Sequence, residues 1–222
     1  MPKKPYRLLV FDWDGTLLDS ISSILTCTQT ALAQIGLEPA AEADIRASIG
    51  MGIREMVERF YPGMSDGDFQ RLVLAYRELW FDDYCHRSGL LTGAEETLIE
   101  LQDQGYWLAV ATAKSRRGLD LDLDRTGVRD RFLTSRTADE ARGKPDPLML
   151  HMILDELGVD RSEALMIGDT VHDLQMALNA GTDGLGVTSG SQASHELEEA
   201  SPKALLAGVW RLKDWLDRLS TT

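Results

Sequence analysis

Short apolar runs that end in polar turns recur along the chain, a pattern of strands buried on both faces. Four are strong: residues 6–12 (YRLLVFD), 106–112 (YWLAVAT), 164–169 (ALMIGD) and 184–190 (GLGVTSG). Two are weaker, residues 131–135 (RFLTS) and 204–208 (ALLAG). Between them apolar residues return every three or four positions, the period of a helix packed along one stripe. Residues 147–158 put Met149, Met152, Ile153 and Leu157 on such a stripe, with Pro147 suited to a first helical turn. Residues 173–181 put Leu174, Ala177 and Leu178 on one face and stop at Gly181. Residues 116–127 make the poorest helix, because Leu119, Leu121 and Leu123 alternate as they would in a strand. Strands alternating with helices of this length predict an α/β domain, a parallel sheet with helices on both faces.

Residues 19–88 break that rhythm. Helical spacing runs through Ile21, Ile24, Leu25, Thr28, Leu32 and Ile35 up to Gly36, and again through Phe69, Leu72, Val73, Tyr76, Leu79 and Trp80. No strand signal interrupts it. The expectation is a core domain of residues 1–18 and 89–222, with an all-helical domain of residues 19–88 inserted after the first strand. Residues 93–105 then return to the sheet domain as a helix.

Charge narrows the partners. Thirty-six Asp and Glu against 23 Lys and Arg leave a net charge of −13, which excludes a nucleic acid held through its phosphates and suits anionic membranes poorly. An anionic small substrate therefore needs a bound cation or a locally positive pocket. Cys27 and Cys85 make neither a disulfide framework nor a metal set. The start MPKKPYRLLVFD has too short an apolar run for a signal peptide, and Asp12 breaks it. No run approaches the roughly 18 apolar residues of a membrane span. The expectation is a cytoplasmic protein, monomer or homodimer.

Candidate chemistry collects at strand ends, where open α/β sheets bind their ligands. Asp12 and Asp14 follow the first apolar run, and side chains two apart in an extended chain face the same side. The second run ends at Thr112 and the third at Asp169, with Asp173 four residues on. GKPDP carries Lys144 in a loop bracketed by Gly and Pro. Each has an ordinary explanation alone: Asp-Gly is a turn pair, Asp173 a possible helix N-cap, Thr112 a strand former, Lys144 a solvated charge. Their joint placement favours one acidic rim with a lysine and a hydroxyl.

On these residues the chain resembles haloacid dehalogenase superfamily phosphohydrolases, in the phosphoglycolate phosphatase-like branch with a helical cap. FDWDGTLLDS, VATAK, GKPDP and MIGDTVHDLQMALNAG fit that family's four motifs in order. The resemblance implies a Rossmann-like sheet, and Mg²⁺-dependent hydrolysis of a small phosphorylated metabolite through an aspartyl-phosphate. It implies Asp12 as nucleophile and Asp14 as the acid that protonates the leaving oxygen and then activates water. Mg²⁺ would be held by the Asp12 side chain, the Asp14 backbone carbonyl, Asp169, and Asp173 directly or through water. Lys144 would balance charge at Asp12 and the phosphoryl group. Thr112 would donate to a phosphoryl oxygen, with backbone N–H groups near Trp13 and Ala113; the Trp13 side chain is read as packing. Ala113 departs from the Asn often found there. IGMGIREM (49–56) resembles the cap loop that reaches substrate, with Gly50 and Gly52 allowing close backbone approach and Arg54 meeting an anionic group.

Rivals share these residues unequally. Dehalogenation needs neither a second Asp nor a metal. A phosphonatase needs a Schiff-base lysine in the insert, and no lysine lies between Lys4 and Lys114. A sugar-phosphate mutase or pyrophosphatase would keep the motifs and differ in the cap. A phospho-acceptor signalling domain would place adjacent acids at the first strand and need no cap.

Overall fold

The computed structural model describes residues 4–220; residues 1–3 and 221–222 of the expected core domain lie outside them. Six strands form one sheet: β1 (Leu8–Phe11), β2 (Trp107–Thr112), β3 (Thr134–Thr137), β4 (Ala164–Gly168), β5 (Asp183–Val187) and β6 (Leu205–Leu206). All neighbours pair in parallel, in the order β3-β2-β1-β4-β5-β6. The winding reverses between β1 and β4, so the ligand crevice of such a sheet opens beyond their carboxyl ends. β3 lies later than its apolar run suggested, because Phe132 packs into the core beside the strand while Thr134–Thr137 pair along the sheet edge.

The helices are α1 (Ile21–Gln34), α2 (Glu42–Ser48), α3 (Ile53–Phe60), α4 (Asp66–Asp82), α5 (Ala94–Asp103), α6 (Arg116–Thr126), α7 (Leu148–Leu157), α8 (Val171–Ala180), α9 (Ser194–Glu199) and α10 (Leu212–Ser220). Alternate strand residues feed opposite faces of the sheet. Leu9, Phe11, Val110 and Ile167 cluster with Leu98 and Leu101 of α5, Leu119 and Leu123 of α6, and Leu212 and Leu216 of α10. Leu8, Val10, Ala109 and Met166 cluster on the other side with Met149 and Ile153 of α7 and Met176 and Ala177 of α8.

One local expectation holds and two change. The alternating leucines of α6 are two faces of a helix: Leu119 and Leu123 meet the sheet, while Leu121 packs beside Trp80 and Tyr84. In α8 Leu178 is exposed and Met176 takes the buried place. Pro147 is the N-cap of α7 and precedes its first turn. α10 carried no sequence signal that was read as a helix, yet it buries Leu212 and Leu216 against the core.

Helices α1 to α4 lie between β1 and β2 in the chain and bury their own cluster of Ala31, Leu32, Met56, Val57, Phe69 and Leu72. Ser65 caps α4 by accepting the Asp68 N–H at 3.1 Å, and Gly36, at φ 81°, turns the chain out of α1. The chain leaves for this insert and returns from it side by side. Asp19 N–H donates to the Gly89 carbonyl at 2.8 Å, Leu91 N–H to the Leu17 carbonyl at 2.8 Å, and Leu18 and Leu90 form an antiparallel bridge. No helix among the described residues is long and apolar enough to cross a membrane.

Ile167 sits at the centre of the sheet with no exposed surface. Ile167→Ala is expected to destabilise the fold by about 2–5 kcal/mol, lowering the melting temperature by roughly 2–4 °C for each kcal/mol; thermal denaturation by circular dichroism measures it.

Candidate active site

Asp12 extends β1 by one residue, its N–H donating to the Ile167 carbonyl at 2.8 Å. Its carboxylate is buried and accepts the Lys144 ammonium at 2.6 Å. Lys144, in the loop before α7, is fully buried and also donates to Asp173 at 2.5 Å. Asp173 occupies the third position of α8, and Thr170, not Asp173, takes the N-cap place. The two are reciprocal: Thr170 Oγ1 accepts the Asp173 N–H at 3.3 Å, while Asp173 Oδ2 accepts the Thr170 N–H at 3.1 Å and its hydroxyl at 2.8 Å. That pairing fixes the carboxylate and leaves Oδ1 for Lys144.

Asp169 follows β4 and is held from two distant segments. It accepts the Thr16 hydroxyl at 3.0 Å, the Ser191 N–H at 2.7 Å and the Ser191 hydroxyl at 2.9 Å. Backbone closes in on it where no side chain would fit. A Cβ at Gly190 would lie 2.1 Å from Asp169 Oδ2, and one at Gly15, which has φ +84°, would lie 2.5 Å from the same atom.

Asp12, Asp169 and Asp173 each offer an oxygen within 4.8 Å of the others, and among the described residues the one ammonium bonded to them is Lys144. Burial pushes the Asp12 carboxyl well above the usual carboxylate range, with Lys144 opposing and Asp173 and Asp169 adding to it. Burial and then Asp173 push Asp169 up to about 6, against the hydrogen bonds from Ser191 and Thr16. Burial alone would lower the Lys144 pKa, but Asp12 and Asp173 outweigh it and hold the ammonium above its ordinary range. Three buried carboxylates facing one ammonium, all with hard oxygen donors, fit a divalent cation of the Mg²⁺ type.

Asp14 stands outside this cluster. Its carboxylate accepts the Ser20 hydroxyl at 2.7 Å and the Lys114 ammonium at 2.8 and 3.1 Å. Lys114 also lies 3.3 Å from Asp122 and 4.5 Å from the centre of the Trp80 ring in α4. Asp122 in turn accepts the Trp13 indole N–H at 3.1 Å and Arg125 at 3.2 Å. Although burial disfavours its charge, Asp14 and Asp122 raise the Lys114 pKa above the ordinary value. Sequence reasoning passed over Lys114, because a lysine after a strand reads as solvated. The available signal was a buried-face acid, Asp122, eight positions on in the same strand–helix unit.

A pocket of about 370 Å³ lies over the rim, lined by Asp12, Asp14, Thr112, Ala113 and Lys114 from the sheet side and by Gly52 and Arg54 from the insert. Thr112 Oγ1 accepts the Lys114 N–H at 3.1 Å, which leaves its own proton to donate. The Trp13 side chain does not line it: the ring is fully buried, edge-on to Phe132 at 6.2 Å, so only its main chain could serve a ligand. The two loop glycines also part. Gly50 has φ +91° and brings the insert onto the core, a Cβ there lying 2.9 Å from Thr170 Oγ1. Gly52 has φ −68°, is the N-cap of α3 and lines the pocket with no such close protein neighbour. The Arg54 guanidinium lies 4.1 Å over the Phe69 ring. His172 is in the first turn of α8, and its burial lowers its pKa.

This arrangement has counterparts. The sequence profile of the haloacid dehalogenase-like hydrolases matches residues 9–187. The chain belongs to that family. This haloacid dehalogenase-like hydrolase is 30% identical over 219 residues to a phosphoglycolate phosphatase of Psychrobacter arcticus, covering 95% of each chain. It is also 30% identical over 207 residues to the pyrophosphatase PpaX of Bacillus velezensis, covering 93% and 94%. A solved hydrolase from Pseudomonas syringae superposes with a TM-score of 0.85 at 27% identity, covering 96% of this chain and 98% of that one.

Two outcomes are expected of this hydrolase. Asp169 binds a proton more readily folded, at about 6, than at the ordinary 3.8 of an unfolded carboxyl. Its contribution therefore makes the metal-free fold less stable as pH rises through that window. Mg²⁺ at a hundredfold excess over its dissociation constant should stabilise the fold by about 2.7 kcal/mol at pH 7.5, and raise the melting temperature less at pH 5. Equal gains in scanning fluorimetry at the two pH values would sink this account. Separately, Lys114→Met leaves Asp14 and Asp122 short of a buried cation and should cost about 3–5 kcal/mol in chemical denaturation, partly recovered in Lys114→Met with Asp122→Asn.

Proposed function

We propose that this chain is a Mg²⁺-dependent phosphatase that hydrolyses a small phosphate monoester through an aspartyl-phosphate on Asp12. The observation that carries the reading is Asp12, bonded to buried Lys144 at 2.6 Å and clustered with Asp169 and Asp173, at the floor of a pocket. The phosphatases among its relatives support the same reaction class.

Asp12 attacks phosphorus as the bond to the leaving oxygen breaks, and Asp14 gives its proton to that oxygen. Asp14 then takes a proton from a water molecule, which attacks the phosphorus of the aspartyl-phosphate, releases phosphate and regenerates Asp12. Lys144 opposes the burial that disfavours the Asp12 carboxylate. Thr112 and the backbone N–H groups at Trp13 and Ala113 donate to phosphoryl oxygens. Mg²⁺, held by Asp12, Asp169, Asp173 and the Asp14 carbonyl, would offset a repulsion of about 4 kcal/mol between unit charges roughly 4 Å apart at an effective dielectric of 20. Residues 19–88 serve as a cap domain over the core of residues 1–18 and 89–222 and exclude water from the reaction. Two unbridged, buried cysteines support a cytoplasmic location.

Pyrophosphate is a second candidate substrate, favoured by the likeness to PpaX. A phosphate-release screen over phosphoglycolate, sugar phosphates, nucleotides and pyrophosphate separates the two. Asp12→Asn is expected to abolish turnover of p-nitrophenyl phosphate while the circular dichroism spectrum is unchanged. Near-normal turnover in that variant would remove Asp12 as the nucleophile.

A further inference from the structure

The insert side of the pocket carries three kinds of polar group. Thr28 and Ser48 are spent on their own helices, their hydroxyls donating to the Ile24 carbonyl at 2.8 Å and the Ile45 carbonyl at 2.7 Å. Arg54 rests on the Phe69 ring and Arg77 is exposed, and among the described residues neither has a carboxylate partner. The third kind is the Tyr76 hydroxyl.

The protein fixes the Tyr76 ring and leaves its oxygen unused. The ring stacks on Trp80, one helical turn on in α4, at 5.9 Å with the planes 8° apart. Cys27 Sγ donates to the Tyr76 carbonyl at 3.6 Å. Yet among the described residues the hydroxyl has no hydrogen-bond partner. Its oxygen is not sealed in either, because the buried side-chain polar atom without a partner among those residues is Arg136 Nε. A residue that lines a cavity with its oxygen open and unbonded presents that oxygen to the cavity. Burial, then Cys27 and Asp14, hold the phenol well above its ordinary pKa, so it keeps its proton to donate. A ligand that displaces water from this space either supplies an acceptor or leaves the hydroxyl unpaired, which is costly. Such a site rejects an analogue lacking the matching group more sharply than an apolar wall selects by size.

We propose that Tyr76 is a specificity-determining residue that donates a hydrogen bond to an oxygen carried by the leaving alcohol beyond the ester oxygen. The assignment rests on the phosphatase reading above and adds a substrate feature to it, a second oxygen on the alcohol. A hydroxyl and a carboxylate present the same acceptor to Tyr76, and they differ in what they ask of Arg54 and Arg77.

The test is steady-state kcat/KM of the full chain and of Tyr76→Phe, with Mg²⁺ at one pH, on ethyl phosphate, 2-hydroxyethyl phosphate and phosphoglycolate. The substitution keeps the stacked ring and removes only the hydroxyl. It should lower the ratio to ethyl phosphate by about tenfold for at least one oxygen-bearing ester, the worth of one net hydrogen bond. Taking the ratio cancels any general loss of activity. A fall for 2-hydroxyethyl phosphate identifies a neutral acceptor, and a fall for phosphoglycolate alone a charged one. Ratios unmoved for both esters overturn the proposal and leave the phosphatase reading intact. Failure of the unmodified chain to release phosphate from any ester, p-nitrophenyl phosphate included, would instead bring down the phosphatase reading and this one with it.

Discussion

The Lys144 ammonium, buried between Asp12 and Asp173, is the contact on which the rest of the site depends. It joins the end of β1 to the start of α8 through a loop that belongs to neither. It also leaves the balance incomplete, because Asp169 brings a third buried carboxylate within 4.8 Å. A fold does not keep two excess negative charges out of water without a reason, since each is costly until something positive meets it. The surrounding hydrogen bonds prevent the easy escape of turning outward: Thr170 fixes Asp173, while Thr16 and Ser191 fix Asp169. The strain is electrostatic, and a dication would relieve it.

Much of this was legible because a sheet covered on both sides writes its strands as continuous apolar runs, and each run here ends at its rim residue. Asp12, Thr112 and Asp169 could be placed at one edge from that alone, and Lys144 and Asp173 followed from loops next to it. What stayed hidden depends on rotation and reach. Asp122 meets Lys114 and Trp13 only because α6 turns that face inward, and alternating leucines concealed the turn. Thr170 and Asp173 exchange bonds in a way that spacing permits but does not require. Thr16 and Ser191 reach Asp169 from far along the chain, with no local pattern to announce them. β3 was displaced because an edge strand is chosen by pairing rather than by apolarity.

The two acids at the end of β1 thus live in different surroundings. Asp12 faces the carboxylate cluster and Lys144, while Asp14 faces Ser20 and Lys114 on the side of the insert. Lys114 in turn touches the Trp80 ring, so the second acid is in contact with the helices that form the pocket wall. Separate environments for neighbouring carboxylates allow them separate duties.

The paired crossings at residues 17–19 and 89–91 are made by main-chain hydrogen bonds, which any residue but proline can donate. The helical segment beyond them therefore hangs from a neck that is indifferent to what it carries. Such an arrangement lets descent with modification trade one helical insert for another while the ancestral sheet and its rim are inherited untouched.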